Sequence, residues 1–429
     1  MTRGSRPPAL AIVAALLASV PAPGTARAQD PLPVPADTLA VADSVALADS
    51  LWPVEPIGDP LLAGIDSQST ASAFPWIVEL LGWRGFGVEH YNRVDGLTPS
   101  WGLRLEPVEP ETRPEIEARI AAATTHAQLY WTGSIRQRIP APGAIHARFE
   151  IFHRSATFDD WKLSTRENDI ATFAFASDML DWWREKGWTA GVDAETSDGR
   201  IGGSIAFTDA SHRSMADRSP FALFGGNYRD NPPADEGDFH GLWATLRVDT
   251  RDIQSPLLPS PGWWLRVDAE VAGGAIGGDI DFRRGAVDLR RFTRFASDSW
   301  WNSHIVWMGP LDGDSLPAQR HFMLGGPGSL NGFRGGSFVD SQGVQTSTEI
   351  HLPLPVGRRI ALLFLSWHWV AFADAGALGD YEEWHADVGT GISGLTLLSQ
   401  IELLFAQRVT DLDEDGSGPR FVVRFRRDL

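Results

Sequence analysis

From about residue 80 the chain alternates in steps of two. In GWWLRVDAEVA, Leu265, Val267, Ala269 and Val271 alternate with Arg266, Asp268 and Glu270. In GLWATLRVDT, Leu242, Ala244, Leu246 and Val248 alternate with Trp243, Thr245, Arg247 and Asp249; in SQIELLF, Ile401, Leu403 and Phe405 alternate with Gln400 and Glu402. Near the end, Phe421, Val423 and Phe425 oppose Arg420, Arg424 and Arg426. Alternation at 180° per residue predicts strands with one apolar and one polar face. Such runs begin near 82, 99, 115, 128, 144, 186, 199, 239, 262, 280, 298, 343, 360, 384, 397 and 419.

A soluble sandwich also alternates, so run length and spacing decide between the two. Runs of about ten residues suit tilted strands that cross a bilayer. Short connections (IPAPG, SDG) interleave with long segments over 154–185, 209–238 and 309–342. That asymmetry predicts an all-β fold, a transmembrane antiparallel β-barrel of about 16 strands with both termini on the short-turn side. One long segment, 156–185, has helical spacing and is expected to cover the rim or the mouth.

The N-terminus changes the picture in one respect, because it looks like an export address. Arg3 and Arg6 precede an apolar run from Ala9 to Val20, and Ala26-Arg27-Ala28 is an A-x-A site, so residues 1–28 read as a signal peptide. Residues 29–78 are Pro- and Asp-rich, with one possible short helix between Asp37 and Trp52, and read as a disordered periplasmic leader; 79–429 is the barrel. The expected location is the bacterial outer membrane, with its lipids as partners. A net charge of −18 excludes nucleic acid. The chain has no cysteine, so its stability comes without disulfides. Eighteen tryptophans suit either a core or a bilayer interface.

The stretch MLGGPGSLNGFRGGSF (323–338) is dense in glycine, yet no Gly-Lys-Ser/Thr follows it, which excludes a phosphate loop. Its hydrophobic residues also argue against a linker. Gly325-Gly326 followed by Leu330-Asn331-Gly332-Phe333 resembles the loop of the BamA-type assembly and secretion barrels, the bacterial surface antigen family. VDTRDIQSPLLPSPGWWLR (248–266), TSTEIHLPLP (346–355) and FADAG (372–376) resemble further stretches of that family, and YNRVDGL (91–97) does so more weakly. The resemblance covers roughly 239–429.

The resemblance implies that an arginine of the tetrad reaches into the lumen and latches onto the aspartate of FADAG. By parity Asp374 and Glu349 point inward, opposite Trp367, Trp369, Ile350 and Leu352. This chain, however, has Asn331 at the arginine position. Arg334 is expected to substitute by pairing with Asp374 or Glu349; the alternative is that Arg334 is a plain surface charge.

For function, the resemblance implies insertion, translocation or secretion of unfolded outer-membrane or secreted polypeptides. Those roles use periplasmic POTRA domains, for which the 29–78 leader is too short. Two other readings remain open. One is a non-enzymatic surface barrel or pore; the other is a barrel lipase or a metal site, drawing on Ser366, His368 and His351. No G-x-S-x-G, H-E-x-x-H or Walker loop is present, so no enzyme, cofactor or metal is expected. Asp411, Asp413, Asp415 and Gly416 open like a calcium loop, but Val422 stands where the twelfth-position Glu belongs, which favours a solvated hairpin. The chain ends in Leu429, where a closing aromatic is usual.

Overall fold

The computed structural model describes residues 76–141, 143–251, 260–296, 298–355, 366–395, 400–412 and 418–426. The expected signal peptide and nearly all of the expected leader lie outside these residues, as do Asp413, Asp415, Gly416 and Leu429.

Seventeen strands form one antiparallel sheet. Two of them share a rank: β1 (Trp76–Leu80) and β2 (Phe86–Asn92) lie end to end along β3 (Gly96–Pro107). The chain jogs between them because Gly82, Arg84 and Gly85 all take positive φ, which ends the pleat and restarts it. Each later strand pairs with the next: β4 (Glu115–Ala122), β5 (Leu129–Ile139), β6 (Ala144–Ala156), β7 (Trp183–Glu195), β8 (Ile201–Ser214), β9 (Gly237–Asp249), β10 (Gly262–Ala272), β11 (Phe282–Ala296) and β12 (Ser299–Pro310). The loop that follows carries a separate hairpin, β13 (Phe322–Leu324) with β14 (Phe338–Asp340). The main ladder resumes from β12 to β15 (Gly343–Pro353), then β16 (Ser366–Leu378), β17 (Trp384–Leu395), β18 (Gln400–Arg408) and β19 (Arg420–Arg426). The expected number of about 16 is thus met as sixteen ranks, one of them broken.

The two faces of the sheet are polarised opposite to those of a soluble sandwich. Val192, Ile205, Leu242, Leu246, Phe405 and Phe421 stand exposed on the outer face. Glu185, Glu270, Arg284, Asp387, Glu402 and Arg408 are buried on the inner one. Strands with charges inside and hydrocarbon outside are stable only when the inner charges pair and the outer face meets an apolar solvent. Tryptophan serves both settings: Trp182, Trp183 and Trp300 are buried, whereas Trp83 and Trp301 are exposed.

The helical stretch expected over 156–185 forms a 3-10 turn at Asp159–Trp161 and one α-helix, α1 (Thr165–Phe175). Ser164 caps it, its hydroxyl accepting from the Glu167 N–H at 3.2 Å, and Ala176 ends it in a left-handed conformation. The helix packs against β2 and β19.

Candidate functional site: the lumen loop and its anchors

The loop over 311–342 folds inward and brings its own hydrophobic core. Phe322, Met323, Leu324, Leu330 and Phe333 are almost fully buried. Phe322, Leu324, Leu330 and Phe333 pack on Ala286, Val306 and Met308 from the inner faces of β11 and β12, with Phe158, Trp161, Phe338 and Leu378 around them. Trp161 stacks on Phe322 at 4.8 Å between ring centroids. Glycine makes the close approach possible. Gly328 has φ +82, and a Cβ there would fall on the Lys162 carbonyl oxygen. A Cβ on Gly332 would lie 2.9 Å from the Asp387 Cβ and 3.2 Å from the Arg408 nitrogen.

The tip is fastened by Asn331 itself. Its Nδ2 donates to Asp374 Oδ2 at 2.8 Å. The next residue continues the contact: the Gly332 N–H donates to Asp387 Oδ2 at 3.0 Å, and the Gly332 carbonyl accepts from Arg408 Nε at 3.1 Å. The Arg408 guanidinium also sits 4.5 Å above the Phe333 ring. Asp374 and Asp387 are direct cross-strand partners, as are Asp387 and Arg408. The tetrad therefore lands on two facing carboxylates.

The expected substitution by Arg334 does not occur. Arg334 is exposed, and among the described residues it makes no ion pair with Asp374 or Glu349. The physical reason is local: Asn331 already reaches Asp374, and Gly332 presents its backbone to Asp387, so both carboxylates are engaged without Arg334. Glu349 does lie on the inner face, where it meets neighbours in the wall. It accepts from Asn302 Nδ2 at 3.2 Å, and His351 Nε2 lies 3.5 Å away.

A buried arginine does anchor this loop, eleven residues before Asn331. Arg320 donates from Nε and Nη2 to Glu270 Oε1, each at 3.1 Å, while Arg284 Nε donates to Glu270 Oε2 at 2.9 Å. The Arg320 guanidinium lies 5.1–5.6 Å from the rings of Phe158, Trp183, Phe239 and Trp243. A desolvated arginine held by a fork of bonds and by aromatic faces is the side chain suited to such a place.

A second hub lies at the first turn. Arg93, wholly buried, donates to the carbonyls of Asp178 (3.2 Å) and Leu180 (2.7 Å), to Asp181 (3.0 Å) and to Asn231 (2.9 Å). It thereby gathers the long loops over 157–182 and 215–236. Lys162, also buried, pairs with Asp159 at 3.4 Å and touches the Met323 sulfur at 3.3 Å. Burial pushes the Asp159 carboxyl up and the Lys162 ammonium down, and their mutual attraction opposes both shifts.

Between loop and wall lies a cavity of about 230 Å³, lined by Ser164, Glu167, His304, Asn331, Glu349, Asp374 and Arg424 among others. Ser366 and His368, the residues of the lipase alternative, make no hydrogen bond with one another; His368 packs on Trp300 at 4.5 Å. Glu349, His351 and Glu402 are spaced as three ligands for a metal could be.

Residues 229–423 match the Omp85 superfamily domain. The fold is similar to BamA from Haemophilus ducreyi lacking POTRA domains 1–3, at 11% identity and a TM-score of 0.54, over 84% of this chain and 76% of that one. Weaker likenesses are to CdiB from Escherichia coli (12% identity, TM-score 0.46, 80% of this chain, 61% of that one) and CdiB from Acinetobacter baumannii (11%, 0.41, 82% and 65%). No curated protein matches the sequence. The lumen loop, both of its anchors and eight strands of the wall thus lie inside the stretch that matches the Omp85 superfamily domain.

Proposed function

We propose that this protein is exported by its first 28 residues and resides in the bacterial outer membrane as an Omp85-type barrel that handles polypeptides, by insertion, translocation or secretion. The observation that carries the reading is the loop of the Omp85 domain seated in the lumen on Asp374 and Asp387. The outward apolar face supports the membrane location. No enzymatic step is part of this reading. Depletion of the protein followed by outer-membrane proteomics tests it: a selective fall in other barrels or in a surface-exported protein is expected, and an unchanged proteome would overturn it.

One observation favours a second reading, a sealed surface barrel without an assembly role. The lumen is filled by the 311–342 loop and by the loops that Arg93 gathers. Planar-bilayer conductance separates the two when both anchors of the loop are removed by Arg320→Met with Asn331→Ala. A gated polypeptide path is expected to open steps of current, whereas a sealed scaffold stays silent.

A further inference from the structure

On two strand edges, a backbone donor goes to a helix instead of to another strand. The Tyr91 N–H of β2 donates to Asp169 Oδ1 at 2.9 Å, and the Phe425 N–H of β19 donates to Glu167 Oε1 at 3.1 Å. Both carboxylates belong to α1. Residues two apart on a helix with 3.6 residues per turn point about 200° apart, to opposite flanks. One flank of α1 therefore meets the first rank of the sheet, and the other meets the last.

The two remaining faces differ in the same way as the two faces of the sheet. Asn168 and Thr172, four apart, are fully buried; Asn168 donates to Asp178 Oδ1 at 2.9 Å and accepts from the Met179 N–H at 2.7 Å. Ile170 and Phe173, three apart on the opposite side, are exposed by 44% and 43%. Phe173 meets Tyr91 edge-on at 5.4 Å and lies beside Phe221, while the backbone of Leu223 and Phe224 hydrogen-bonds to the last turn. Phe86 and Val88 on β2 and Phe421 on β19 are exposed as well, so the apolar outer surface runs from strand to helix to strand.

We propose that α1 is a wall element of the barrel: it stands between β2 and β19, satisfies an edge donor of each through Asp169 and Glu167, and presents Ile170 and Phe173 to the acyl chains of the bilayer. The occupant follows from continuity, because the apolar strip on the helix joins the apolar strips on both flanking strands. A helix also needs no partner for its backbone in such a place, and the two acids supply what the strand edges would otherwise lack. The proposal rests on the membrane location proposed above.

The absence of cysteine allows a direct test. Single cysteines replace Ile170, Phe173 and, as a wall reference far from the seam, Ile205 of β8. Each carries a nitroxide, and the protein is reconstituted in phosphatidylethanolamine/phosphatidylglycerol vesicles. Ile170→Cys and Phe173→Cys should match Ile205→Cys, with high oxygen and low nickel-chelate collision rates. Aqueous readings at 170 and 173 beside a lipid reading at 205 would overturn the helix as wall and leave the membrane location standing. An aqueous reading at 205 would overturn the location and the proposal with it. The flanks are read separately by amide exchange at Tyr91 and Phe425. Glu167→Ala with Asp169→Ala should speed both by about tenfold or more, as loss of a bond to a charged acceptor implies. Glu167→Gln with Asp169→Asn, which keeps the acceptors, should move them less; unchanged exchange in both pairs would overturn the bridging role.

Discussion

The lumen loop is fastened twice, and the two fastenings use opposite chemistry. At Arg320 a buried cation meets Glu270, with Arg284 on the other side of the same carboxylate. At Asn331 a neutral amide and a backbone N–H meet two carboxylates that face each other across strands. The first anchor has cations in excess of acids, while the second has acids in excess, with Arg408 beside them. A charge-paired anchor is hard to half-break, because what remains is a buried ion. An amide anchor has less to lose, and its strength depends on how closely the glycine backbone can approach.

The largest effect is therefore expected at the first anchor. Arg320→Met should cost about 3–5 kcal/mol, the usual result of stripping one partner from a buried ion pair, read by denaturant unfolding of the refolded barrel. A loss below 1 kcal/mol would make the two anchors equivalent. Gly332→Ala comes next, at about 1–3 kcal/mol for overpacking against Asp387 and Arg408. It should also loosen the tip without unseating Arg320, which amide exchange of Phe333 against that of His321 would report. Asn331→Ala should cost about 1–3 kcal/mol by leaving Asp374 less satisfied, and adding Asp374→Asn should return part of it in a double-mutant cycle. Additive losses would mean that the amide and the acid are not coupled. Arg334→Ala is the smallest, within about 0.5 kcal/mol of wild type, because the side chain lies in solvent.

The wall was legible in the sequence because period two survives whichever face is apolar. The starts expected at 115, 144, 262, 343 and 384 coincide with β4, β6, β10, β15 and β17. The break in the first rank was not legible, since three positive φ angles within four residues leave no trace in hydropathy; only Gly82 and Gly85 hinted at it. At the candidate site, parity placed Asp374 and Glu349 on the inner face. It could not pick out Asp387 and Arg408 as partners, because that takes the cross-strand register, and register is set by turn geometry and not by alternation. The clue available was that Asp387 keeps phase with His385 in HADVGT, and both proved to be buried. Arg320 was harder still. It sits in a long loop without periodicity, just before the Phe322-Met323-Leu324 run that carries it inward. The resemblance drew attention to the position of a missing arginine, and the one that anchors the loop enters from elsewhere in it.

The close seat of Gly328 on Lys162 has a mechanical consequence. Lys162 lies three residues before α1, touches Met323 through its ammonium and takes Gly328 against its carbonyl. Farther along the same segment, Met179 fills the space that a side chain at Gly335 would need. The loop that fills the lumen and the loop that carries α1 are thus geared together, tooth against gap on both sides of the helix. A pull that withdraws the glycine tip must lift residues 162 and 179 with it, and so load the helix between β2 and β19. The seat of the lumen loop and the position of α1 are thereby one mechanical unit.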